Sequence, residues 1–130
     1  PNLASCVAAS EADAHSLGLK NVICAHIADG NFHTLVPFQA GDQHLVRQFE
    51  ALLTTRALDA GGTVTGEHGV GIGKVEHSCR EHGEVHVAVQ QAVKHALDPL
   101  GLMNPGKVLP YTSVDNKCFK GQHAGGASKL

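Results

Sequence analysis

Apolar positions along the chain recur with two periods, one typical of helices and one typical of strands. Helical spacing predicts three helices, over residues 3–17, about 43–60 and about 84–97. Two short apolar runs, residues 22–28 and 32–38, contain β-branched side chains and predict strands. A shorter strand is expected at residues 63–65. The order α-β-β-α-(β)-α, with at least one antiparallel pair, indicates an α+β fold rather than a doubly wound sheet.

Composition and charge narrow the classes of protein that the chain can belong to. Its 130 residues fit one domain, and 42% of them are hydrophobic, as in an ordinary globular protein. The formal net charge of −2 argues against nucleic-acid binding, which selects clustered Lys and Arg. No apolar run approaches the roughly 20 residues that span a bilayer. Ten histidines and fifteen glycines are the unusual features. The histidines are compatible with metal binding, and the glycines suggest special backbone conformations or close backbone approaches.

The two ends of the chain bear on its cellular location and on the length of its reading frame. Residues 111–130 are expected to form a flexible tail, because they include a Gly- and Ala-rich stretch. The tail ends in Ser128-Lys129-Leu130, which matches the tripeptide that the peroxisomal import receptor reads. We therefore expect a location in the peroxisome or a related microbody, with the import receptor as a partner. The start at Pro1, rather than at an initiator methionine, suggests a longer reading frame.

A turn signal between the two predicted strands places two histidines near each other. If Asp29 and Gly30 form a two-residue turn, His26 lies directly opposite His33. Cross-strand partners share a face, with Cβ atoms about 5 Å apart, so the two imidazoles could chelate one ion. The alternative is a pair of histidines on a solvent-facing sheet of a His-rich chain. The hairpin alone does not decide between these two interpretations.

A glycine-rich loop at residues 66–73 places an acid and a base side by side. Glu67 could complete a His-His-Glu ligand set that leaves coordination positions open for a substrate. His68 could act as a general base near neutral pH. A phosphate-binding loop is the competing interpretation. The loop lacks the Walker spacing, however, and no Ser or Thr follows Lys74.

Three motifs follow one another along the chain and resemble a known family. They lie at residues 25–33, at residues 66–71, and at residues 98–99 together with 104–108. In this order they resemble the C-terminal region of the FAD-linked oxidase family, which includes D-lactate dehydrogenases, D-2-hydroxyglutarate dehydrogenases and glycolate oxidase subunits. The first motif departs from the family pattern, because alanine stands at positions 25 and 28 where the family usually has glycine.

The resemblance implies a fold and a role for each candidate residue. The implied fold is the cap or C-terminal domain of a flavin oxidase, an antiparallel sheet with helices packed on one face. His68 would take the proton of the substrate hydroxyl. Asn104 and Lys107 would lie where the chain returns to the flavin domain, as cofactor-binding residues. The implied ligands of a divalent zinc or manganese ion are His26, His33 and Glu67.

These implications define the predicted domains and function. Residues 1–110 are expected to be the C-terminal part of the cap domain with its return segment, and residues 111–130 the tail. The parent protein would be an FAD-dependent D-2-hydroxy acid dehydrogenase of the D-lactate type. It would oxidise a 2-hydroxy acid to a 2-oxo acid with metal assistance, and hydride would pass to the flavin.

Part of that machinery is expected to lie outside this chain. No FAD-binding segment is recognisable here, so FAD would be bound mainly by a flavin-binding half of the parent protein. This chain alone is therefore expected to show no dehydrogenase turnover. The alternative is a non-catalytic, truncated relative that acts as a protein-interaction module, for example an actin-interacting one. The alternative location is mitochondrial.

Overall fold

The computed structural model describes residues 2–110, and the predicted tail with its Ser128-Lys129-Leu130 terminus lies outside them. The chain divides into two compact units, with the boundary between Gly66 and Glu67. None of the helices within residues 2–110 is both long and apolar enough to cross a membrane.

The first unit contains two helices and a two-stranded antiparallel sheet, which confirms the predicted α+β class. Its elements are α1 (Leu3–Ser16), β1 (Val22–His26), β2 (Asn31–Leu35) and α2 (Gln43–Asp59). The two helices begin and end within one residue of the predicted bounds. Both strands stop short of the predicted ends, because residues 27–30 form the turn and residues 36–38 pair with no strand.

The core of this unit lies where α1 and α2 pack together. Ala14 is fully buried, Phe49 is 2% exposed and Leu19 is 9% exposed. Around them pack five partly buried apolar side chains: Leu17, Val36, Leu45, Val46 and Leu53. Since α1 also contacts β2, the helical core supports the strand that carries His33.

A polar cluster links the two helices beside this core. Ser10 is fully buried, and its hydroxyl donates to the Cys6 carbonyl oxygen at 2.7 Å. The Arg56 guanidinium donates to the Ser10 hydroxyl oxygen at 3.1 Å and forms an ion pair with the half-buried Asp13. A buried hydroxyl that is both donor and acceptor costs little to bury, so this cluster fixes how α1 and α2 face each other.

The register of the strand pair differs from the predicted one. His26 pairs with Asn31, and Cys24 pairs with His33. The prediction that His26 lies directly opposite His33 is therefore wrong, and the ladder is displaced by two residues. The direction of pairing is antiparallel, as expected.

The cause of the displacement is the length of the turn. Four residues, 27–30, connect the strands instead of two. The Asp29 N–H donates to the His26 carbonyl at 3.1 Å, and the Gly30 N–H donates to the Ile27 carbonyl at 3.3 Å. Four-residue hairpin loops built around such a turn are a common alternative to the two-residue type, so the Asp-Gly pair alone did not fix the loop length.

The second unit is helical within the described residues. Its α-helices are α3 (Ser78–His82) and α4 (Glu84–Leu97), separated by Gly83, and a short 3-10 helix (Val75–His77) directly precedes α3. The bounds of α4 confirm the third predicted helix, whereas the five-residue α3 was not predicted. The strand expected at residues 63–65, just before this unit, is absent, because within residues 2–110 the sheet contains β1 and β2 alone. Three β-branched residues do not make a strand without a ladder to join.

The apolar face of α4 is not its buried face. Val85, Val89 and Val93 follow one another at helical spacing, as predicted, yet they are 55–80% exposed. Val87, which lies off that face, is 3% exposed. Sequence spacing therefore identified the residues that share a face of α4 but not the side that packs within this unit.

Candidate metal centre

His26 and His33 face the same side of the hairpin despite the displaced register. A shift of two residues preserves the alternation of side chains across a sheet, so the two histidines become diagonal neighbours. Their ring centroids lie 5.2 Å apart, with an interplanar angle of 82°. His33 is half-buried and His26 is exposed. The pair therefore has one anchored member and one that a ligand from solvent can reach.

Asn31 touches the anchored histidine. Its Nδ2 lies 3.4 Å from Nε2 of His33, at the long end of hydrogen-bond distances. The amide Nδ2 can donate to Nε2 in the His33 tautomer that carries its proton on Nδ1. The Asn31 amide therefore lies against one edge of the His33 ring.

The glycine-rich segment comes close to the same asparagine. The Gly66 backbone has φ +46°, and a Cβ placed on it would lie 2.7 Å from Oδ1 of Asn31. Only a residue without a side chain allows this approach. Glu67 is bonded directly to Gly66, so the position of the Gly66 backbone determines where the Glu67 side chain starts.

The three predicted metal ligands come together in the structure. His26, His33 and Glu67 each offer one ligand atom, and all three atoms lie within 4.8 Å of one another. We call these residues the ligand cluster. Ligands about 2.1 Å from a tetrahedral ion lie about 3.4 Å apart, so an ion would require the side chains to rotate inward by a small amount. Two imidazoles and one carboxylate are a donor set that fits zinc or manganese.

His68 lies beside the ligand cluster in sequence and faces solvent. Its side chain is 74% exposed, and its Nε2 lies 3.7 Å from Oε1 of Glu67. An exposed imidazole can exchange a proton with a bound molecule, because nothing needs to move to admit one. The structure therefore places the predicted base next to a predicted metal ligand.

The two predicted cofactor-binding residues contact each other. Nζ of Lys107 donates to Oδ1 of Asn104 at 2.9 Å, and both residues are exposed. Asn104 has φ 49°, which its short polar side chain tolerates. The pair leaves an ammonium and an amide in reach of solvent at this turn.

Comparison with known proteins gives the family. The family model described as "FAD linked oxidases, C-terminal domain" matches residues 1–108. The chain belongs to the FAD-linked oxidase family. The matched span contains the ligand cluster, His68 and the turn of Asn104 and Lys107, and the predicted family is therefore confirmed.

Several relatives of known name belong to the same family. A probable mitochondrial D-lactate dehydrogenase of Danio rerio is 40% identical over 83% of this chain and 22% of its own length. A mitochondrial D-lactate dehydrogenase (cytochrome) of Saccharomyces cerevisiae is 42% identical over 74% of this chain and 16% of its own length. A glycolate oxidase subunit of Escherichia coli K12 is 35% identical over 74% of this chain and 19% of its own length. The chain thus spans about a fifth of the length of these relatives.

Asp98, in the third family motif, orders the segment that follows α4. Asp98 lies just after α4 and accepts from the backbone N–H groups of Leu102 and Met103, each at 2.9 Å, and it pairs with Lys94. Nζ of Lys94 also donates to the Met103 carbonyl at 2.7 Å. The Lys94 ammonium, followed by the backbone donors, lowers the pKa of Asp98 from 3.8 to about 2. Asp98 therefore orders the chain that leads to Asn104.

Asn31 is the residue near the ligand cluster to which sequence reasoning gave no role. It lies inside the first motif, between the two histidines. A two-residue turn would pair it with Ala28, whereas the structure pairs it with His26. Its proximity to Gly66 joins residues 35 positions apart in the chain, and no local pattern in the sequence signals such a contact.

Proposed function

We propose that this chain is the metal-holding and base-carrying part of an FAD-dependent D-2-hydroxy acid dehydrogenase of the D-lactate type. The observation that carries the proposal is the ligand cluster, whose three ligand atoms lie within 4.8 Å. The relatives named as D-lactate dehydrogenases, at 40% and 42% identity, support the substrate class. The glycolate oxidase subunit acts, by its name, on another small 2-hydroxy acid.

Each residue of the site has a distinct task in this proposal. His26, His33 and Glu67 would hold zinc or manganese. When bound, the ion would supply positive charge that lowers the pKa of the substrate hydroxyl. His68 would accept the hydroxyl proton on its exposed imidazole, next to the carboxylate of Glu67. Glu67 would place the base beside the ion, because His68 directly follows it in the chain.

The cofactor of the family is FAD, which would accept the hydride from the substrate carbon. Asn104 and Lys107 are proposed to contribute hydrogen-bond donors to it. The support is that both side chains are exposed and that the Lys107 ammonium can meet an anionic group. Most contacts to FAD would come from the flavin-binding half of the parent protein.

The location proposed for the protein is the mitochondrion. Two of the relatives described above carry that location in their names. The peroxisomal prediction depends on Ser128-Lys129-Leu130, which lie outside the described residues. Nothing in the comparisons supports the peroxisomal import receptor or actin as a partner.

Metal binding by the purified chain tests the proposal directly. After chelator treatment and dialysis, titration calorimetry with zinc chloride and with manganese chloride should give about one ion per chain for one of the two metals. His26→Ala and His33→Ala should abolish this binding, because each removes one of three ligands.

His15→Ala is the matched control, since His15 is an exposed histidine on α1. It should bind metal as the wild type does. Failure of the wild type to bind either metal would refute the metal assignment. Equal losses in His15→Ala and His33→Ala would instead indicate nonspecific binding by a His-rich chain.

A further inference from the structure

We propose that Asn31 is a positioning residue that holds the segments of the ligand cluster in one arrangement. The inference rests on the proposed function, because it concerns the same metal site. Asn31 is half-buried and is placed against His26, against His33 and against the backbone of Gly66, which precedes Glu67. It is thus adjacent to every segment that contributes a ligand.

The first neighbour of Asn31 is His26. The two residues are direct partners across β1 and β2. Direct partners in an antiparallel pair point to the same face, with Cβ atoms about 5 Å apart. The Asn31 side chain therefore limits the positions that the His26 ring can adopt on its exposed side.

The second neighbour is His33, two residues along the same strand and on the same face. Nδ2 of Asn31 lies 3.4 Å from Nε2 of His33. An amide at one edge of an imidazole restricts rotation of the ring and favours one tautomer. Groups that orient the ring of a metal-binding histidine typically contribute 10–100-fold to metal affinity.

The third neighbour is the backbone of Gly66. A Cβ at Gly66 would lie 2.7 Å from Oδ1, 3.1 Å from Cγ and 3.2 Å from Nδ2 of Asn31. All three atoms of the amide group therefore lie close to the Gly66 backbone, and they limit where that backbone can move. Since Glu67 is the next residue, the same amide sets the starting point of the third ligand.

The test compares Asn31→Ala with Asn21→Ala in the full chain. Asn21 is a half-buried asparagine just before β1, at the opposite end of the hairpin, so it provides the same chemical change away from the cluster. We expect Asn31→Ala to lose about 10–100-fold in affinity for the metal that the wild type binds. Asn21→Ala should stay within about 2-fold of the wild type, while circular dichroism confirms that both variants fold.

A metal-free measurement tests the positioning role separately. In ¹⁵N NMR spectra of the apo protein, Asn31→Ala should change the ring nitrogen shifts of His33, which report its tautomer, and the amide shifts of Gly66 and Glu67. Asn21→Ala should leave these signals in place. Asn31→Asp keeps the size of the side chain and an oxygen in the same place, so it should restore the Gly66 and Glu67 amide shifts toward those of the wild type.

The outcomes separate this inference from the proposed function. If the wild type binds metal and Asn31→Ala binds it within about 2-fold with unchanged His33 signals, the positioning role is refuted and the metal site stands. If the wild type binds no metal, the proposed metal function fails. The apo spectra still decide whether Asn31 holds His33 and Gly66, and unchanged spectra in Asn31→Ala would overturn the inference.

Discussion

Replacing Gly66 by alanine should damage the ligand cluster without touching any ligand. The Gly66 backbone has φ +46°, so an alanine there pays about 1–2 kcal/mol for a left-handed conformation. Its Cβ would also lie 2.7 Å from Oδ1 of Asn31, so one group must retreat by about 0.7 Å to reach ordinary contact. The Asn31–His33 contact is already 3.4 Å long, and such a retreat would break it.

A variant of a second glycine separates the cost of the left-handed backbone from the cost of the overlap with Asn31. Gly61 ends α2 with φ +76°, and a Cβ there would meet nothing within 4 Å. Gly61→Ala should therefore lower the free energy of unfolding by about 1–2 kcal/mol and leave metal affinity unchanged. Gly66→Ala should show the same backbone cost, an added cost of up to about 1–3 kcal/mol for the overlap, and weaker metal binding.

The assay is urea unfolding followed by circular dichroism, together with calorimetric metal titration of both variants and the wild type. The contrast in metal affinity is the decisive quantity, because a shift of the short Asn31 side chain could relieve the overlap at little cost in stability. Equal metal affinities for Gly66→Ala and Gly61→Ala would refute the idea that the Gly66–Asn31 contact supports the site.

Two further predictions concern the second unit and the location of the protein. Because the folded-state pKa of Asp98 is about 2, below its ordinary value of 3.8, its ionised form contributes stability above pH 3.8 that is lost as pH falls toward 2. Asp98→Asn should therefore unfold at a lower urea concentration than the wild type near neutral pH, and this difference in urea midpoint should disappear between about pH 4 and 2. Glu76→Gln, at an exposed carboxylate, is the control and should unfold at the same urea concentration as the wild type. A midpoint difference for Asp98→Asn that persists undiminished at pH 2 would contradict the assignment. The proposed mitochondrial location predicts that the protein sediments with mitochondrial markers in cell fractionation, and its recovery with peroxisomal markers would instead support the Ser128-Lys129-Leu130 signal.

The sequence predicted the long helices well, because their signals are local. Apolar spacing and a terminal glycine set the bounds of α2 to within one residue of the structure. The five-residue α3 carries too few turns for a period to emerge. Residues 63–65 carry a β-branched signal, but whether such a run becomes a strand depends on an available neighbouring strand.

The apolar face of α4 marks a different limit of sequence reasoning. Periodicity correctly placed Val85, Val89 and Val93 on one face, but these side chains are exposed in the structure. A pattern of apolar positions indicates which residues share a face of a helix. It does not indicate which element packs against that face. Only Val87, off that face, is buried in α4.

The proximity of His26 and His33 was predictable because it depends on which face of the strand each side chain occupies rather than on the exact register. The predicted turn was two residues too short, yet His26 and His33 remained on one face, because a shift of two restores the alternation that a shift of one would invert. Loop-length errors of an even number of residues therefore leave a same-face ligand pair intact. The residue directly opposite His26, in contrast, changes with any shift of the register. The shift of two residues places Asn31 there instead of His33. The candidate ligands could thus be identified from the sequence, whereas the proposed positioning role of Asn31 required the structure.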